Sequence, residues 1–130
     1  MKKILNKKNN DNTKTAVVYI TKNISDEGLL AIYEALDHKA TGKVAVKLSS
    51  GEPGGHYFLA IKLIRPLVQS VNGTIVECNT AYGGRRSNTE SHRKVVEEHG
   101  FTAIAPVDIM DKEGSIGLGT RNYELVSIDD

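Results

Sequence analysis

Cysteine is nearly absent: the 130 residues contain one, Cys78. An internal disulfide, a four-cysteine zinc site and a cubane iron–sulfur cluster are therefore excluded for this chain by itself, since each needs more thiols than one. Long apolar runs are missing too. No stretch approaches the ~20 residues that cross a bilayer, and the opening segment lacks the apolar core of about 7–15 residues of a secretory signal. Both absences point to a reducing cytoplasm. Net charge is equally scarce, 17 basic against 16 acidic residues. Neither a nucleic acid nor a membrane surface is an expected partner for so balanced a chain.

What remains is the composition of a globular protein, 39% hydrophobic and 25% charged, at a length that suits one domain. The near-zero charge hides an uneven distribution. Lys2, Lys3, Lys7, Lys8 and Lys14 face only Asp11 in the first fourteen residues, which leaves the rest mildly acidic. Residues 1–14, rich in Lys and Asn, read as a disordered, solvated tail. Residues 15–130 read as the domain.

Along that domain, apolar patterning alternates between strand and helix. The β-branched run TAVVYI at 15–20 predicts a buried strand. Ser25 is placed to cap a helix, with Asp26 and Glu27 favourable against its dipole. Leu29, Ile32, Tyr33 and Leu36 supply one apolar face of that helix, which is expected to end near Lys39. A second strand is predicted over 43–48. A helical stretch follows over 57–71, in which Pro66 predicts a kink or a late start. Residues 74–77 predict a third strand, and 90–99 a helix capped by Asn88 or Thr89 and stopped by Gly100. A fourth strand is expected over 103–110, at an edge or broken by Pro106. A turn at 111–114 and a last strand at 122–128 complete the series. Strands alternating with helices predict a single small three-layer α/β domain with a mostly parallel, Rossmann-like sheet.

Two glycine-rich loops follow strands directly: SSGEPGGH at 49–56 and CNTAYGGRR at 78–86. Loops at the carboxyl ends of parallel strands are where open α/β sheets bind ligands, and glycine lets backbone amides approach them. Amides at such loops and at helix N-termini favour anions, and Arg85 and Arg86 add charge with a planar fork suited to phosphate or carboxylate. Neither loop carries GxGxxG or GxxxxGK followed by Ser or Thr. The expected binding set is Ser49, Ser50, Gly51, Glu52, Gly54, Gly55, His56, Asn79, Thr80, Tyr82, Gly83, Gly84, Arg85 and Arg86. His92 joins it, because His92, Val95, Val96 and His99 form the inward stripe of the third helix with His92 at the ligand edge. His99 is expected at the opposite edge. His56, Glu77, His92 and Asp108 are the weak candidates for a metal or acid–base cluster, at spacings with no diagnostic value. Cys78 reads as a buried structural thiol in preference to a reactive one.

The stretches VAVKLSSGEPGGHYFL, NGTIVECNTAYGGRRSNTESH and EEHGFTAIAPVDIMD resemble the domain-of-unknown-function family 362, whose members are often named uncharacterised iron–sulfur centre proteins. The resemblance runs over about 17–114. It implies that Gly51, Glu52, Gly54, Gly55, His56, Asn79, Tyr82, Gly83, Gly84 and Arg85 form the family's site here. Family domains are roughly twice as long and hold a further stretch of the kind HxKGH, which this sequence lacks. The cysteine cluster is missing as well, so no iron–sulfur cluster is expected, and the cofactor is left unassigned. The resemblance thus implies an amino-terminal half of a longer domain.

The expected function is a partial ligand-binding domain with an anion- or cofactor-binding edge, to which the resemblance adds a redox association. The alternative is a non-catalytic remnant or interaction module that self-associates through a face left uncovered. A nucleotide-binding regulator rests on fold analogy alone.

Overall fold

The structure is a computed structural model that describes residues 17–113 and the strand Lys2–Ile4. The expected strand at 122–128 lies outside the described residues. Strand β1 (Lys2–Ile4) pairs antiparallel with β2 (Val18–Ile20). The sequence reading placed β2 in the main sheet and buried, and residues 2–4 in a tail. Instead Val18 and Ile20 are exposed, and β2 forms a separate two-stranded ladder. β-Branched residues report an extended backbone; they do not report which strand lies alongside.

Helix α1 (Asp26–Ala35) begins as the sequence implies, with the Ser25 side chain accepting from the Gly28 amide at 3.1 Å. It ends earlier than Lys39, because Asp37 turns to a φ of 51°. Its expected apolar face is only half-buried, and Leu36 is exposed. Strand β3 (Ala45–Lys47) leads to the first glycine loop and to α2 (Ile61–Ser70). Pro66 sits inside α2, neither starting it nor stopping it. The missing helical bond and ring clash cost about 3 kcal/mol. Burial of Ile64 (4% exposed) and Val68 (1%) offsets that, at about 1.5–3 kcal/mol for each such side chain.

Strand β4 (Thr74–Glu77) has the predicted bounds. Helix α3 (Thr89–Glu98) is capped by the Asn88 side chain on the Ser91 amide and ends at Gly100, with φ 83°. A short 3₁₀ turn at Phe101–Ala103 replaces the start of the expected fourth strand, and β5 is only Val107–Ile109, directly after Pro106. A second 3₁₀ turn, Met110–Glu113, stands where a turn was expected.

The main sheet has the order β3-β4-β5, all parallel, so β5 is the edge strand that Pro106 predicts. The order never reverses. Two crossovers of one hand stepping in one direction lay both helices on the same face. Accordingly Ile64 and Val68 of α2 and Val96 of α3 join Ile75, Ile109, Phe101 and Ile104 in a single cluster. Register puts Lys47, Val76 and Asp108 on the other face, where Lys47 and Asp108 are exposed. The α/β class holds; among the described residues the sheet has a helical layer on one face, and the third layer is not among them. No helix among them is long and apolar enough to cross a membrane.

Gly28 tests the fit of α1. Helix propensity favours alanine there by about 1 kcal/mol. A Cβ would lie 2.1 Å from the Asn23 carbonyl oxygen, a backbone atom that cannot swing aside. Overpacking of this kind costs about 1–3 kcal/mol. Gly28→Ala is therefore expected to lower the thermal unfolding midpoint, measured by circular dichroism, despite its better helix propensity.

Candidate functional site

Glu77 is the last residue of the central strand, on the same face as Ile75 and only 3% exposed. A carboxylate taken from water at that position needs partners for both oxygens. Arg86, at the end of the second glycine loop, donates from Nη2 to Oε1 at 2.5 Å. The Ser50 amide, in the first loop, donates to Oε2 at 3.0 Å, and His92 Nε2 lies 3.3 Å from the same oxygen. Arg86 is itself 7% exposed, and its Nη1 reaches Glu52 Oε1 at 2.8 Å. One buried ion pair thus links β4, both loops and α3.

His92 is fully buried in the first turn of α3. Its Nδ1 lies 3.1 Å from Asn79 Oδ1, while Asn79 Nδ2 donates to Thr89 Oγ1 at 3.0 Å. That amide orientation assigns the ring proton to Nδ1. Nε2 then accepts, facing Ser50 Oγ at 3.2 Å and Arg86 Nε at 3.4 Å. Burial holds the His92 pKa below its ordinary 6.5, outweighing the Glu77 carboxylate, which pulls it up. Ser50, His92 and Asn79 have the order of a nucleophile, a base and an orienting group. Ser50 is 1% exposed, however, and no substrate reaches its hydroxyl in this arrangement. In this arrangement the cluster ties the first loop, the second loop and α3 together by hydrogen bonds.

The solvent side of the network is a rim. Glu52 Oε1 also accepts from the Tyr82 hydroxyl at 2.7 Å, which joins the tips of the two loops. That hydroxyl and Arg86 hold the Glu52 carboxyl below its usual range, while Glu52 pushes the Tyr82 phenol up. The Asn79 amide donates to Asp111 Oδ2 at 2.5 Å, and Thr80 N bonds to the Arg86 carbonyl at 2.9 Å, closing the second loop on itself. Gly51 has a φ of 79°, and a Cβ there would meet Phe58 at 2.8 Å, so close packing of the loop requires glycine.

The expected residues therefore divide. Ser50, Glu52, Asn79, Tyr82, Arg86 and His92 come together, along with Glu77. Arg85 does not: its guanidinium turns away to Glu98, at 2.5 and 2.9 Å, on the exposed side. His56 and Ser49 are exposed, and Gly54, Gly55, Gly83 and Gly84 lie in turns at the loop tips. The fourfold cluster of His56, Glu77, His92 and Asp108 does not form, because Asp108 occupies the opposite face of the sheet. No group of three metal-ligating side chains occurs among the described residues. Cys78 is exposed, the reverse of the buried thiol expected, since it follows Glu77 onto the open face.

Two contributors were not anticipated. His99, expected at the far edge, donates from Nδ1 to the Ser50 carbonyl at 2.7 Å and stacks on Phe58 at 4.1 Å and 12°. Helical periodicity had put it on the right stripe; only the return path of the first loop brings Ser50 to it. Asp111 reads in sequence as a turn residue; its place just beyond β5, at the same sheet edge, is the signal for its bond to the Asn79 amide. A cleft of about 450 Å³ lies away from these loops, lined by Tyr33, Asp37, His38 and Val71 between the ends of α1 and α2.

Comparison of the chain with protein-family models, with curated proteins and with solved structures finds no match.

The two neighbouring arginines should respond differently to truncation. Arg86→Ala leaves Glu77 as an uncompensated buried charge and is expected to cost about 3–5 kcal/mol in denaturant unfolding. Arg85→Ala breaks an exposed pair and should leave the midpoint essentially where it is. A second expectation concerns pH. The folded-state pKa of His92 lies below its unfolded value, so acidification protonates the unfolded chain first. Its contribution to stability is thus complete above pH 6.5 and lost as pH falls below it. Ring-proton NMR should show His92 titrating below 6.5, and the acid-side decline in the unfolding midpoint should flatten in His92→Gln.

Proposed function

We propose that this chain is a ligand-binding α/β domain whose anion- or cofactor-binding edge is formed by the two glycine-rich loops. The observation that carries this reading is the Glu77–Arg86 pair with its reach to Ser50, Glu52 and His92. Loops that merely connect elements have no need of a shared buried ion pair. Loops that must present backbone and side chains to a ligand in a fixed geometry do. The likeness of the two loop motifs to the domain-of-unknown-function family 362 supports the same reading, and the redox association rests on that likeness alone. The proposal stops at binding, because Ser50 and His92 lack solvent access.

A second reading, an interaction module, is favoured by one observation: the sheet face bearing Lys47, Val76 and Asp108 carries no covering layer among the described residues. Sedimentation over a range of concentrations addresses it; a monomer throughout counts against self-association.

The binding reading is tested by titrating ¹⁵N-labelled protein with inorganic phosphate, acetate and magnesium in turn. Amide shifts at 49–56 and 79–86 are expected for at least one of them. Shifts absent from both loops for all three would sink it.

A further inference from the structure

Among the described residues Arg86 is the arginine aimed into the candidate edge, and its guanidinium is already taken. The inner half holds Glu77, which at 3% exposure cannot leave. The outer half holds Glu52, whose side chain is 52% exposed and stands on a glycine-rich loop. Glu52 Oε1 receives Arg86 Nη1 at 2.8 Å and the Tyr82 hydroxyl at 2.7 Å. An arginine fork beside a phenol is a donor pair suited to an oxyanion from solution.

We propose that Glu52 is an internal stand-in for the ligand. Its carboxylate occupies the oxyanion position between Arg86 and Tyr82, and a small molecule bearing a carboxylate or phosphate binds by taking that position while Glu52 swings out to water. This rests on the binding reading above and deepens it by naming the recognised group and the residue that competes with it. Arg86 is never left without an anion: one leaves as another arrives, so the guanidinium keeps its partner and the buried Glu77–Arg86 pair stays in place. The side chain that leaves is the exposed member of the network, so its carboxylate regains water as it swings out. Space for the newcomer lies at the loop tips. A Cβ on Gly54, Gly83 or Gly84 would meet nothing within 4 Å, so the backbone there is open to approach.

A competing side chain lowers apparent affinity by the fraction of time it leaves the position free. Removing it should therefore strengthen binding. The experiment compares the wild-type chain with Glu52→Ala, each confirmed folded by circular dichroism, for inorganic phosphate and for acetate. Affinities come from NMR titration, and the Arg86 Nε–Hε signal reports arrival at the guanidinium. Glu52→Ala is expected to bind phosphate, acetate or both at least about tenfold more tightly, with the Arg86 signal moving. Tightening for one probe alone identifies phosphate or carboxylate as the recognised group. Equal affinity in both proteins, with the Arg86 signal moving, overturns the stand-in role and leaves the binding reading intact. Tightening without movement of the Arg86 signal also overturns it. No anion binding by either folded protein overturns the proposal together with its anion-binding premise. Should Glu52→Ala not fold, Glu52→Gln removes the charge while keeping the shape, and the same outcomes apply.

Discussion

A carboxylate at the buried end of the central strand is the constraint on which the loop edge depends. Glu77 shares its face with Ile75, so the register that buries Ile75 in the core carries Glu77 under the same helical cover. Its charge has to be matched where it stands, and the match comes from far along the chain: Ser50 from the first loop and Arg86 from the second, with His92 of α3 accepting from Arg86 Nε beside them. Each partner fixes a backbone path. An apolar pair of matching volume at 77 and 86 together would be about as stable as the ion pair. It would not, however, hold two loops in register with each other. Charge at this position is better understood as specifying loop geometry than as adding stability.

Much of the fold was legible because local signals and tertiary placement agree. The bounds of β4 and the Asn88 cap follow from patterning and side-chain chemistry within a few residues. The legibility failed where the decision was made by distant residues. Pro66 reads locally as a breaker, yet α2 runs through it because Ile64 and Val68 bury on both sides of it. Arg85 and Arg86 are indistinguishable in sequence; only the position of Glu77 on the strand below decides which one turns inward. His99 is invisible as a loop anchor until the first loop folds back over Phe58. The layering could not be read either, because strand order is a property of the assembled sheet.

That strand order shapes where a ligand could sit. Doubly wound sheets bind at the crevice where the order reverses and helices part to opposite faces. In β3-β4-β5 there is no reversal, and α2 and α3 cover the same face. The loops cannot lean on a crevice made by topology and must be shaped by their own contacts. This accounts for the density of side-chain bonds in them, and for the tie between Tyr82 and Glu52 that joins their tips across thirty residues of sequence.

Glycine in these loops then carries two meanings that the sequence alone merges. Gly51 is demanded by the fold: its φ is positive and Phe58 fills the space a side chain would need. Gly83 is different. Its φ is not positive, and a Cβ there would meet nothing within 4 Å. Neither backbone conformation nor packing among the described residues calls for glycine at that position, although glycine carries an entropic cost in the unfolded chain. What a missing side chain leaves there is open space beside Tyr82. Gly51 is thus explained by the fold, whereas no contact among the described residues explains Gly83.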